Sequence, residues 1–543
     1  MRQNHPIPQI LSLDMSADIQ TEAARDLPGL GVAERLDHLG WLFASVAERQ
    51  PSRTAVTTAS ESVSYQSLLV AAKSVAEALQ LDELFQIGGR VILLMSNSPE
   101  YIAGFFGTLL AGGVVVPLPP DVESGRLSLI AESTEATHLL TQPRWLRTRR
   151  DLQNRVGSPI TLMHDETRNE AATFDHAAKI TGGADSLAAI FFTAGSSGTP
   201  KGVMLSHRNL ISNASSIRQY LEVTEDDRPL CVLPFYHAFG NSVLQSHLLA
   251  GAELILDGSV PFPETIIAAL SRHRATSLSG VPDLFRFLLE RSSLGRAPLP
   301  DLRYMAVAGG ALTHALNLAV AERIAPALFH VMYGQTEATA RLSTLPPDQL
   351  AGRPGCIGRG IPGVTLQVVN EQGHSVAPGE IGEVRCHGPN VMLGYWRDQE
   401  TTKNFVRDGW LYTGDLATVD DDGWIFVKGR RSSLVKIAGF RVHPAEIEEF
   451  VIRRFAVPQA VVVPFEQSGI GTRLALFVRG SHETRALTTA EIIRICRVEL
   501  PRHMVPEHVQ LVDQFPLNDA FKINQPLLTQ LAEKATAWRR ASA

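Results

Sequence analysis

Leu187-Ala188-Ala189-Ile190-Phe191-Phe192-Thr193-Ala194-Gly195-Ser196-Ser197-Gly198-Thr199-Pro200-Lys201-Gly202 is an apolar run that opens directly into a loop of hydroxyls, glycines and one lysine. Hydroxyls and bare backbone N–H groups are what a polyphosphate binds, and glycine lets the backbone approach it closely. The lysine at the end adds a point charge. The stretch reads as a nucleotide-phosphate cradle, with a Ser/Gly surface turn as the plainer alternative. It is not the usual P-loop, which needs G-x-x-x-x-G-K-[ST] at the start of a helix. Here Gly195 and Gly198 are three apart, Pro200 precedes the lysine, and Gly202 stands where the magnesium-binding hydroxyl would be.

Outward from this loop, apolar patterns of two kinds alternate. Leu68 to Leu81 predicts a helix, Arg90 to Met95 a buried strand, and Ser98-Pro99 the start of the next helix. Tyr101 to Pro120 carries no charge and is long enough to span a bilayer. Its glycines and prolines fit better a buried helix, a Gly112-Gly113 turn and the strand Val114 to Leu118. Further runs at Ala252 to Leu256, Thr265 to Arg272 and Leu302 to Ala308 continue the alternation. The expected class is α/β, with largely buried sheets in layers.

The texture changes after about Gly363. Val364 to Val369, Gly382 to Cys386 and Trp424 to Val427 predict short strands, with Asp422-Gly423 as a hairpin signal. From near Ser432 a small α+β unit is expected: helix Ala445 to Arg454, strands Ala460 to Pro464 and Leu474 to Val478, and helix Ala490 to Leu500. The predicted organisation is an N-terminal extension over 1–33, a large domain over 34–431 with a β-rich subdomain from about 364, and a small domain over 432–543.

The chain has 543 residues, 44% hydrophobic and 20% charged, with net charge −6 and no dominant basic block, which argues against nucleic acid as the main partner. The four cysteines, Cys231, Cys356, Cys386 and Cys496, form no C-x-x-C pair, so neither a zinc site nor a disulfide framework is expected and a reducing cytoplasm fits. Met1 to Asp26 has no apolar signal-peptide core.

Further motifs follow the loop in order. They are Leu233-Pro234-Phe235-Tyr236-His237, Ala308-Gly309-Gly310-Ala311, Tyr333-Gly334-Gln335-Thr336-Glu337, Gly409 to Asp415, Gly429 to Glu448, and Ala520-Phe521-Lys522-Ile523. Together, over about Leu36 to Leu528, the chain closely resembles the adenylate-forming superfamily of acyl-CoA synthetases, carrier-protein ligases, peptide-synthetase adenylation domains and beetle luciferases. The chemistry is consistent with this, because a carboxylic acid with a pKa near ~4 is already ionised at neutral pH. It needs alignment and relief of charge repulsion at the α-phosphate of ATP, not a general base.

The resemblance implies roles for particular residues. Thr193, Gly195, Ser196, Ser197, Gly198 and Lys201 would cradle the phosphates. Glu337 would bind Mg2+, a hard cation suited to oxygen ligands, and Thr336 would hydrogen-bond the α-phosphate. The alternative for Glu337 is a helix-start carboxylate favoured by the dipole. Gly309, Gly310 and Ala311 would pass close to adenine, and Tyr333 with Gly334 would cover another face of the base. Asp415 would accept the ribose hydroxyls, the alternative being an Asx-turn, and Arg430 would reach the nucleotide, the alternative being a solvated surface charge. Lys522 would swing in for adenylation, although most lone lysines are solvated surface residues. His237 would stand at the entrance to the carboxylate site, and Tyr236, Phe239, Gly240 and Gly280-Val281-Pro282 would shape the pocket.

After adenylation the small domain would turn about Ser432, and the loop around Gly439 would admit a phosphopantetheine thiol of CoA or of a separate carrier protein. Only about fifteen residues separate Thr339 from Pro354, without the insertion that impedes this rotation in fatty acyl-AMP ligases. The chain departs from the family at Ala194, where Ser or Thr is usual, at Ser432, usually Asp or Lys, and at Phe521, usually Gly. Ala238 falls where peptide-synthetase domains carry the Asp that pairs with an α-amine, so a fatty or other non-amino acyl group is expected. The competing readings are an amino-acid or aryl-acid adenylating enzyme, a luciferase-like oxygenase and a non-catalytic nucleotide-binding protein.

Overall fold

A computed structural model describes residues 37–142, 145, 158–161, 183–193, 200–310, 313–431, 435–437, 440–467, 471–480, 487–518 and 523–541. The expectations for 1–33, Ala194, Gly195, Ser196, Ser197, Gly198, Ala311, Ser432, Gly439, Phe521 and Lys522 lie outside these residues.

The phosphate-loop stretch begins on the strand Leu187–Thr193, which pairs antiparallel with Lys201–Ser206, so that Thr193 faces Lys201 across the base of the loop. This hairpin belongs to a seven-stranded sheet in which Val114–Leu118 lies between Leu187–Thr193 and Arg90–Leu94. The parallel neighbours Arg90–Leu94 and Val114–Leu118 are joined by the helix Pro99–Leu110, every residue of which except Glu100 is buried. That helix, the Gly112 turn at φ 81 and the strand account for the long uncharged run. Gly107 makes the packing possible, since a Cβ there would lie 2.6 Å from the Ala72 carbonyl of the helix Tyr65–Gln80. Among the described residues no helix is long and apolar enough to cross a membrane.

A second sheet has fourteen strands among the described residues. Apart from the antiparallel edge strand Ser62–Ser64, its first half is parallel, with Ser277–Gly280, Tyr304–Val307 and Leu328–Tyr333 in register side by side. At Leu328–Tyr333 the pairing changes, because the next neighbour, Ser343–Leu345, runs antiparallel. It continues through Cys356–Gly360, Ile425–Arg430, Trp410–Val419, Gly382–His387 and Thr365–Val369, all antiparallel. The β-rich texture read from about Gly363 is thus the far half of one continuous sheet, and strand character reaches back to Ser343. A short antiparallel strand followed by a tight turn leaves little periodicity to read.

The small unit packs the helices Pro444–Phe455 and Gln525–Ala541 on a three-stranded sheet of Gln459–Gln467, Gly471–Arg479 and His508–Val512. Arg479 reaches back to the helix Pro282–Arg291 and forms a two-bonded ion pair with Glu290 at 3.0 and 2.6 Å. All four cysteines are free and buried. Burial pushes the Cys386 thiol up to about 12 and the Cys496 thiol up to about 11, so neither is a ready thiolate.

Candidate active site

The site is built where the fourteen-stranded sheet changes direction. Tyr333 ends the strand Leu328–Tyr333, and Gly334 follows it into a one-turn 3-10 helix, Thr336–Ala338, that carries Glu337. Only glycine fits at 334, because a Cβ would sit 1.9 Å from the Ala340 carbonyl oxygen. The return path is strained, with Thr339 at φ 68 and Ala340 at φ 155. Two buried asparagines pin it. Asn390 donates to the carbonyls of Ala338 at 3.2 Å and Arg341 at 3.1 Å, and Asn213 donates to Arg341 at 3.1 Å.

The composition Thr413-Gly414-Asp415 suggests a turn, and the structure shows a strand instead. Thr413, Gly414 and Asp415 lie inside the ten-residue strand Trp410–Val419, where the register against Gly382–His387 shifts and Gly414 takes φ 75. The bulge turns a buried carboxylate toward Tyr333, whose hydroxyl donates to Asp415 Oδ2 at 2.6 Å. Arg430 stands directly opposite Asp415 on the neighbouring strand and donates from Nε to Oδ1 at 3.0 Å. Burial and the Asp415 charge hold the Tyr333 phenol well above its ordinary range. Burial pulls Arg430 down, but Asp415, Tyr333 and Glu337 outweigh it and the net direction is upward.

Glu337 Oε1 accepts a hydrogen bond from the Tyr395 hydroxyl at 2.9 Å. Burial and the Glu337 charge push the Tyr395 phenol up. Tyr395 lies on the two-residue strand Gly394–Tyr395, which pairs with Val203 and Met204. The Lys201 ammonium lies 5.3 Å from the Tyr395 ring centroid and 5.8 Å from that of Phe405. Thr193, Lys201, Tyr395 and Glu337 therefore form one polar group and Arg430, Asp415 and Tyr333 a second, with the Glu337 charge acting on Arg430 between them. Thr336 stands beside Glu337 on the same 3-10 turn.

Gly309 and Gly310 follow the strand Tyr304–Val307, adjacent to Leu328–Tyr333. Gly309 takes φ 86, and a Cβ on Gly310 would approach Pro282 at 3.3 Å. His237 precedes the helix Ala238–Leu248 and meets Tyr236 edge-on at 4.8 Å between centroids. The loop before it is fixed by Asn97, whose amide accepts from Phe235 N at 2.8 Å and donates to Leu233 O at 2.8 Å. Gly240 packs so closely beneath that a Cβ would lie 2.2 Å from the Pro234 carbonyl oxygen.

Sequence reasoning passed over Tyr395, Asn390 and Arg341. Tyr395 had no local signal, since its partners are far away in the chain. Arg341 had one, being the sole charge in the stretch Ala338 to Leu345.

The arrangement, the hairpin Leu187–Thr193 with Lys201–Ser206 beside carboxylates on or next to central strands of the large sheet and a small appended domain, is that of an adenylate-forming ligase. The chain matches the model of the AMP-binding enzyme family over residues 43–396 and that of the AMP-binding enzyme C-terminal domain over 446–522, and it belongs to that family. It is an acid–thiol ligase of the AMP-forming class, within the group of acyl- and aryl-CoA ligases. It is 29% identical to a long-chain-fatty-acid–CoA ligase of Salmonella typhimurium, covering 92% of this chain and 95% of the relative. It is also 29% identical to a 2-succinylbenzoate–CoA ligase of Bacillus cytotoxicus, covering 89% and 97%. Among solved structures, ATP-bound MatB from Rhodopseudomonas palustris aligns with a TM-score of 0.78 at 30% identity, covering 90% of this chain and 98% of that one.

Proposed function

We propose that this enzyme converts a carboxylic acid without an α-amino group into its CoA thioester through an acyl-adenylate. In the first half-reaction a carboxylate oxygen attacks the α-phosphorus of ATP, the acyl–AMP bond forms, and pyrophosphate leaves. In the second, the CoA thiol loses its proton, sulfur attacks the acyl carbon, and AMP leaves. The observation that carries this reading is the pair of polar groups, Lys201 with Tyr395 and Glu337, and Arg430 with Asp415 and Tyr333, between which the Glu337 charge acts on Arg430. It offers a cation and hydroxyls for phosphate at one end and a carboxylate for ribose at the other.

Thr193, Gly195, Ser196, Ser197, Gly198, Lys201 and Thr336 hold the phosphates. Gly309, Gly310, Ala311, Tyr333 and Gly334 form the base site, and Asp415 and Arg430 bind the ribose side. His237 positions the acid, Lys522 supports the adenylation transition state, and Gly439 lines the thiol path after rotation about Ser432. Among the described residues no group of three or more His, Cys, Asp or Glu could hold a metal by itself. That suits Mg2+, which is commonly held by one or two carboxylates together with substrate phosphates, and Glu337 is the donor here. When bound there, Mg2+ would neutralise phosphate charge.

The test is ATP–pyrophosphate exchange across fatty, aryl, dicarboxylic and amino acids. Exchange that needs a non-amino acid and falls on the order of a hundredfold in Lys522→Ala is the expected result. Exchange with an amino acid alone would overturn the substrate class.

A further inference from the structure

Arg341 is the largest fully buried side chain, at 1% exposure. Its guanidinium carbon lies 3.9 Å from the centre of the Phe239 ring. It hydrogen-bonds with the Tyr220 hydroxyl and the Tyr304 phenol also acts on it, and among the described residues no carboxylate forms an ion pair with it. Nε and Nη1 find no hydrogen-bond partner among the described residues. A buried cation normally pairs with an anion, because leaving it unpaired is costly, and arginine does not escape by losing its proton. The strained backbone at Thr339 and Ala340, clamped by Asn213 and Asn390 on the Arg341 carbonyl, fixes where this side chain departs.

Its position relates it to the acid. Arg341 is four residues beyond Glu337, with its Cα against Gly334. Phe239, under the guanidinium, is two residues beyond His237. The Arg341 guanidinium thus packs on the segment that follows His237, while its backbone belongs to the segment that follows Glu337, the two segments that flank the reacting carboxylate in the proposed reaction.

We propose that Arg341 determines substrate specificity by binding a second, distal carboxylate of the acid, so that the enzyme activates dicarboxylic acids in preference to monocarboxylic acids of the same length. This rests on the adenylation reading above. A planar guanidinium with two free donors matches a carboxylate, and a tail ending in methyl would leave the charge unpaired. The same charge would repel an α-ammonium group, in line with Ala238 standing in place of an acid.

The experiment compares ATP–pyrophosphate exchange and thermal unfolding with matched pairs, hexanoate against adipate and decanoate against sebacate, for the unaltered enzyme, Arg341→Met and Arg341→Lys. The expected result is a preference of at least about a hundredfold in kcat/KM for one dicarboxylate over its partner, reversed in Arg341→Met and partly kept in Arg341→Lys. Without ligand, Arg341→Met should unfold no lower than the unaltered enzyme, whereas an arginine with a merely structural role would lower it. A preference for monocarboxylates, or an unchanged preference in Arg341→Met, overturns the proposal and leaves adenylation standing. No exchange with any acid, alongside a dicarboxylate-induced rise in Tm that Arg341→Met abolishes, keeps the anion site and overturns adenylation. No exchange and no such rise overturns both. Should Arg341→Met fail to fold, Arg341→Lys carries the same comparison.

Discussion

Tyr395 holds Glu337 by one hydrogen bond and shares its ring with Lys201, so a single phenol joins the proposed metal ligand to the phosphate lysine. Tyr395→Phe keeps the ring and removes the bond. Its expected effect is a rise of roughly tenfold in the Mg2+ concentration giving half-maximal exchange, with a smaller change in the KM for ATP. A Mg2+ titration of the exchange rate checks this, and an unchanged midpoint would separate Tyr395 from the metal. Glu448 gives a second residue-level prediction. It accepts from Val462 N at 2.8 Å, and burial raises its carboxyl to about 7 from an ordinary 4.5. A carboxyl raised in the folded state favours folding below its unfolded pKa and loses that advantage as pH rises through about 4.5 to 7. Glu448→Gln should therefore stabilise the protein at pH 8 by on the order of 1–3 kcal/mol and have little effect at pH 4.5, measured by denaturant unfolding at the two pH values.

Among the elements, the strands Leu187–Thr193, Arg90–Leu94 and Val114–Leu118 and the helix Pro99–Leu110 follow from apolar runs bounded by glycine, proline or serine, whereas the hairpin partner Lys201–Ser206 had no such reading. The helix Ala238–Leu248 had none either. It buries Asn241, Ser242, Gln245, Ser246 and His247, so its inward face does not read as apolar. Those polar groups are satisfied locally, as when His247 Nδ1 meets the Val243 carbonyl at 2.9 Å, and such pairing is visible only once the helix exists. The bulge at Gly414 escaped for a related reason: Thr-Gly-Asp has turn composition, and only the neighbouring strands make it continue as a strand. At the site itself, the motif residues were legible and their connections were not, since Tyr333 and Asp415 lie 82 positions apart and Tyr395 and Glu337 lie 58 apart. The element most exposed to a single change is the Gly334 turn. Gly334→Ala would drive a methyl into the Ala340 carbonyl and displace the segment from Glu337 to Arg341. Exchange should fall by at least about a hundredfold while far-UV circular dichroism stays unchanged. Retained activity would show that this turn is not tightly defined.

At the scale of the molecule, acid should destabilise the fold through its buried histidines. Burial lowers His38, His247 and His330 to about 4 each, and His207, stacked on His38 at 3.8 Å, falls well below its usual value. A histidine lowered in the folded state contributes stability that is present above its unfolded pKa of 6.5 and lost as pH falls toward 4. Four such groups outweigh the opposite trend of Glu448, so Tm should drop steadily from pH 6.5 to 4.5. A flat profile over that range would mean that these imidazoles are already charged in the folded protein. The Glu290–Arg479 pair ties the large domain to the small one. If the small domain turns about Ser432 between half-reactions, Glu290→Gln should alter the ratio of exchange rate to thioester formation from preformed acyl-adenylate by severalfold, with little change in Tm. An unaltered ratio would mean that this contact does not bias the orientation.

The reversal of strand direction beside Tyr333 has a consequence for how such an enzyme diversifies. Tyr333, Asp415 and Arg430, the residues proposed for base and ribose, sit on strands on the two sides of the reversal, held in register by the sheet itself. The proposed contacts of the acid tail instead lie on Phe239 of a helix and on the Arg341 side chain, outside the strands. Side chains facing the acid can therefore be exchanged while the strands keep their register. Relatives named for a long aliphatic acid and for an aromatic one stand at the same 29% identity to this chain. A frame that separates activation from choice of acid allows inherited chemistry to be readdressed by a handful of substitutions.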